Sequence, residues 1–206
     1  MNSLRYLNFC LLLVMTTSCA PSILKGLHKE GNGMVKKEEL MLPQVASGGL
    51  QRFNMTFDLM KHHFSGILLI KEMEKANYRI LFTTHFGLTV FDFDITREEL
   101  IVHQCMEPLR KQKLLDLLHK DFLLLLGLHL EKENPALFYK STEEPTQVYR
   151  LTQKPTKGYY RTPSAHASPD RIETGKGITH RSLCATSDSI TIRHRFPKLR
   201  IGFSTL

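Results

Sequence analysis

Two carboxylates, Asp92 and Asp94, stand two residues apart in an alternating apolar run with Phe91, Phe93 and Ile95. On a strand that spacing puts both on one face, roughly 7 Å apart. Such a pair serves a hydrolase or a cation site, or it keeps one sheet face wet and discourages unwanted pairing. His62-His63 opens another apolar run, but no third ligand follows at a spacing that zinc sites use. Ser, His and Asp all occur, yet no Gly-x-Ser-x-Gly turn exists to present a nucleophile. Neither glycine-rich phosphate loop, GxxxxGK[ST] or GxGxxG, is present. The residues therefore point away from an enzyme, a metal site and a bound cofactor. Arg193, Arg195, Lys198 and Arg200 form a basic cluster, and the chain carries a net charge of +8. Single-stranded nucleic acid needs aromatics on the same face as the cations. Here the apolar residues alternate onto the opposite face, so we expect a solvated strand face, with anionic headgroups as the second reading and no nucleic-acid partner.

The amino-terminal segment reads as an address. Arg5 precedes residues 7–15, which are apolar except for Asn8, and Thr16-Thr17-Ser18 then leads to Cys19. About nine apolar residues span only ~14 Å as a helix, against ~30 Å of bilayer core. The segment fits a cleaved secretory signal over residues 1–18. Small residues before a cysteine resemble the lipobox of bacterial lipoproteins, with Thr16 where that family favours Leu. The resemblance implies cleavage before Cys19 and acylation of its thiol, and more than one acyl chain makes such an anchor durable. No acidic residue follows in Ala20-Pro21-Ser22. By the sorting rules of that family the expected place is the outer membrane, facing the periplasm. Cys105 and Cys184 remain; in an oxidising compartment they either pair or stay as thiols within strands.

The elements behind the anchor follow from periodicity. Residues 19–49 show no stable period and are expected to be a lipidated tether, apart from a helical turn near Lys36–Leu40; the domain is expected to fill residues 50–206. Residues 50–107 alternate through Phe53, Met55 and Phe57, then Tyr78, Ile80 and Phe82, then Phe91, Phe93 and Ile95. Short polar turns separate these runs, as in a meander of antiparallel strands. After Pro108 the spacing changes to three and four. Leu114, Leu115, Leu118, Phe122, Leu125 and Leu126 mark an amphipathic helix over residues 110–126, stopped by Gly127. Short strands are expected at 136–140, 147–151, 158–161, 180–185, 190–196 and 199–203, with a loop across 162–177.

This order, with the segments Phe64-Ser65-Gly66-Ile67-Leu68-Leu69-Ile70-Lys71, Tyr78-Arg79-Ile80-Leu81-Phe82 and Gly87-Leu88-Thr89-Val90-Phe91-Asp92-Phe93 ahead of one Leu-rich helix, resembles the LolA/LolB-like superfamily of periplasmic carriers and receptors. The resemblance covers about 75 residues in detail. It implies an α+β fold, mostly antiparallel β: a curved sheet, an incomplete barrel, covered by one amphipathic helix. It also implies that a cavity between sheet and helix receives a lipid or acyl group. Phe82, Phe91, Phe93, Leu118 and Phe122 would line that cavity, or else fill the core. Two functions stay open: a non-enzymatic lipoprotein that binds an acyl ligand, and a structural or assembly lipoprotein that holds a protein partner.

Overall fold

The structure is a computed structural model describing residues 22–45, 49–74, 76–153 and 157–206. The expected signal segment and Cys19 lie outside the described residues. Among the described residues thirteen strands form one fully antiparallel sheet: β1 (Leu27–Lys36), β2 (Leu50–Leu59), β3 (His62–Glu74), β4 (Asn77–Thr84), β5 (Thr89–Ile95), β6 (Leu100–Cys105), β7 (Glu133–Ser141), β8 (Gln147–Leu151), β9 (Gly158–Thr162), β10 (Arg171–Thr174), β11 (Arg181–Ala185), β12 (Ser189–His194) and β13 (Leu199–Thr205). Helix α1 (Lys37–Leu40) is one turn, and α2 (Gln112–Leu125) is the long helix among the described residues.

Two meanders make up the sheet, β2 to β6 and β7 to β13. They join where β13 pairs with β2, and β1 adds itself outside β7. The alternation read from the sequence is the alternation of burial. Phe53, Met55, Phe57 and Leu59 face inward on β2, with Asn54 and Thr56 outward. The tight pairing of β3 with β4 requires a glycine at position 66. A Cβ there would stand 1.9 Å from the Thr83 carbonyl oxygen, a backbone atom that cannot swing aside.

Helix α2 reveals how far the sheet bends. Strands β5 and β11 are six steps apart in sheet order. In a flat sheet that is roughly 29 Å, much wider than a helix of about 10–12 Å. Yet α2 touches both. Phe122 meets Phe91 of β5 edge-on at 6.0 Å, and Asp121 bonds Arg181 of β11. The sheet therefore curves around the helix as an open, incomplete barrel with β1 and β6 as its edges. The helix stops where expected. Gly127 adopts φ +63, the Leu128 N–H donates to the Leu123 carbonyl, and the Gly127 N–H donates to that of Leu124. This is the six-to-one and five-to-two pattern of a Schellman cap, which favours glycine.

Two expectations are corrected. The tether is expected to run to residue 49, but Leu27–Lys36 form β1, bonded along its length to β7. Its sequence carries Gly31 and Gly33 and buries mainly Val35, so pairing rather than apolar alternation holds it in the sheet. The loop expected across 162–177 contains β10, a four-residue strand whose place is set by β9 and β11 on either side. Cys105 on β6 and Cys184 on β11 are free thiols on strands far apart in the sheet, the first buried and the second exposed.

Candidate functional site

The residues singled out as chemistry resolve into structural pairs. Asp92 receives a two-pronged bond from Arg79 on the neighbouring strand, at 2.6 and 2.7 Å. Asp94 accepts from Arg79 at 3.3 Å and meets His103 at 2.7 Å. Planar guanidinium matches carboxylate geometry, so these acids are held cross-strand rather than offered to a substrate or ion. His63 pairs with Asp58, and His62 stacks on Phe64 with ring centroids 6.3 Å apart. Among the described residues no group of three His, Cys, Asp or Glu is arranged to hold a metal. Arg193, Arg195, Lys198 and Arg200 are exposed.

Phe82, Phe91, Phe93, Leu118 and Phe122 come together in the core. They fill the space between β4, β5 and the inner face of α2. Phe91 stacks on Phe93 at 4.7 Å and meets Phe82 at 5.4 Å. All five are fully buried, at most 1% exposed. None of them lines the cleft that runs along another face of the helix.

That space is a cleft of about 530 Å³ between α2 and strands β9–β12. Leu117, Leu123 and Leu124 supply the apolar wall from the helix, facing Tyr160 and Phe196. Lys120 and Lys157 bring positive charge to the lining, with His119, His129 and His194 beside them, and Arg181 lines it while paired with Asp121. A volume of this size, apolar with a few converging polar groups, is what small-molecule sites usually show.

Two buried polar constructions hold the cleft. In the first, Asp121 of α2 is 1% exposed and accepts from Arg181 at 2.7 Å, with the opposite oxygen 2.8 Å from His194 Nε2. It lies three residues beyond Leu118 and four before Leu125, on the apolar face. That placement is the signal by which the sequence could have disclosed it. In the second, His129 Nδ1 lies 2.9 Å from the Leu123 carbonyl and its Nε2 meets the Tyr160 hydroxyl. A carbonyl only accepts, so Nδ1 carries the proton and Tyr160 donates to Nε2. Burial pushes the Tyr160 hydroxyl pKa up and lowers His129 to about 4; the positive charges of Arg181, Lys37 and Arg97 also lower His129.

The His129 shift makes stability depend on pH. Its folded pKa lies below the unfolded value of about 6.5, so the unfolded chain takes up the proton first. The stabilisation is complete above about pH 6.5 and is lost as pH falls toward 4. Between pH 7 and pH 5 this one group should remove about 2 kcal/mol. Urea unfolding of the parent and of His129→Asn at both pH values isolates it. The variant should lose less on acidification by that amount, and equal losses would mean that His129 titrates normally.

No family model matches the sequence, and no curated protein matches it either. Among solved structures, the chain is similar to the crystal structure of a LolA superfamily protein from Nitrosomonas europaea. The two share 8% identity over 89% of each chain, with a TM-score of 0.46.

Proposed function

We propose that this chain is a non-enzymatic envelope lipoprotein, held to the outer membrane through Cys19, that binds a lipid or the acyl part of a lipoprotein between sheet and helix. The observation that carries the reading is the cleft: an apolar wall of Leu117, Leu123 and Leu124 with Lys120 and Lys157 around it. Acyl carbon suits the leucines, and a phosphate or carboxylate suits the cations. The ligand site thus moves from the five buried core residues to the opposite side of α2. The described residues contain no helix long and apolar enough to cross a membrane. In this reading the anchor supplies the membrane attachment.

Native mass spectrometry of the chain purified without detergent, followed by titration with dodecyl phosphate, tests this. The expected result is extra mass that organic extraction identifies as lipid, or saturable uptake of the probe. Leu123→Trp narrows the cleft from the helix side and should weaken uptake at least tenfold, about 1.4 kcal/mol or more. A bare protein that takes up neither phospholipid nor dodecyl phosphate would overturn the reading. Recovery of one stoichiometric partner from intact envelopes would then favour a structural or assembly role.

A further inference from the structure

Large apolar side chains exposed to water gather at one end of the sheet. The hairpins β10–β11, β12–β13, β2–β3 and β4–β5 all turn at this end, as their registers require. Their tips carry Ile178, Phe196, Met60 and Phe86, exposed by 70, 70, 74 and 98%. Backbone bonds tie the first three together. The Arg195 N–H donates to the His180 carbonyl, and the Met60 N–H donates to that of Lys198. Hairpins two strands apart are spaced by about 10 Å along the sheet, so the four tips follow its curved rim over a path of roughly 30 Å.

Charge at the tips has one sign. The turns at 60–61, 85–88, 175–180 and 195–198 hold Lys61, Lys176, Arg195 and Lys198, with two histidines and no Asp or Glu, while Asp58 below the first turn is paired with His63. At the opposite end Leu50, Met73 and Leu206 are also exposed, but Glu72, Glu74 and Asp188 stand among them. Met60 adds a separate clue. It holds φ +53 in a two-residue turn, a conformation that Gly, Asn or Asp adopt more readily. A methionine there, three-quarters exposed, serves neither the backbone nor the core. Isolated apolar residues are ordinary on a surface. One on each of four consecutive tips, each beside a cation or histidine, is not.

We propose that this row of tips is a docking surface for an anionic lipid bilayer. Ile178, Phe196, Met60 and Phe86 enter the headgroup layer while Lys61, Lys176, Arg195 and Lys198 meet lipid phosphates. The row is a set of separate projections, which suits a soft, uniformly negative surface with an apolar layer beneath it. Ile and Met cannot stack on bases as single-stranded nucleic acid would need. Phe196 also lines the cleft, together with Gly175 and Thr179 from the β10–β11 turn. The docked edge therefore includes part of the cleft's own wall, and a ligand can pass between bilayer and cleft with little exposure to water.

The chain contains no Trp, so one introduced indole reports without background. The full chain carrying Phe86→Trp or Ile178→Trp is mixed with vesicles of phosphatidylcholine and phosphatidylglycerol that include brominated acyl chains. Leu206→Trp, at the far end of β13, is the control. Both tip indoles should shift to the blue and be quenched, with the control unchanged. Combining Lys61→Glu, Lys176→Glu and Lys198→Glu should abolish the tip quenching, as should raised salt. Tip indoles that stay in water, whether or not the chain binds vesicles, would overturn the proposal, as would quenching that survives charge reversal. Neither reporter position lines the cleft, so failure of the acyl-binding reading and failure of this one are separable.

Discussion

Asp121→Ala lowers the unfolding free energy by about 3–5 kcal/mol, the usual cost of removing one partner from a buried ion pair. The carboxylate meets Arg181 on β11 and His194 on β12, and His194 is as buried as the acid itself. Without it, a guanidinium 14% exposed and a buried imidazole lose their shared acceptor. An imidazole so placed cannot recover that bond from water. The same contacts also fix α2 against the far half of the sheet, so the loss falls on the wall of the cleft. For a chain of this size the melting temperature should drop by on the order of 10 °C. Thermal unfolding followed by circular dichroism measures it. A drop below about 2 °C would show that the pair contributes little net energy. The paired variant Asp121→Leu with Arg181→Met should recover part of the loss, because apolar groups of similar volume replace buried ion pairs at small cost.

Phe91→Ala is expected to cost about 3–5 kcal/mol by a different route, the cavity left by a large side chain. Phe91 is fully buried where four rings converge: Phe57, Phe82, Phe93 and Phe122, with centroids 4.7 to 6.4 Å away. Those neighbours sit on β2, β4, β5 and α2, so no single element can relax to close the gap. Urea unfolding should show an earlier midpoint with an unchanged slope. Because Phe91 does not line the cleft, uptake of dodecyl phosphate by the folded variant should stay as in the parent. A loss of uptake in a folded variant would return the ligand site to the inner face of α2.

Much of the fold was legible because burial and periodicity coincide in it. The β2–β6 meander buries alternate residues, and α2 buries residues three and four apart. Where a neighbour rather than a pattern defines the element, the sequence was silent. Strand β1 buries one side chain fully, and β10 has a single aliphatic residue, Ile172, beside a buried Glu173. The site followed the same division. Phe82, Phe91, Phe93, Leu118 and Phe122 meet in the core because hydrophobic residues on facing elements pack together. Which gaps they leave depends on how far the sheet curls, and no local pattern records that. Arg181, His194 and Tyr160 come from three strands and reach α2 or the loop after it only through that curl.

The seam between β13 and β2 has a consequence for how the chain acquires its structure. Most neighbours in the sheet are neighbours in sequence, so each meander can assemble from short-range hairpins. At the seam Leu199 pairs with Leu59, 140 positions earlier. Closing so long a loop costs entropy before any contact repays it. Until β13 arrives, β2 presents an open ladder of hydrogen-bonding groups, and such ladders recruit strands from other chains. Joining the two meanders at this interior seam is therefore a costly closure, and the one that leaves β2 open until it is made.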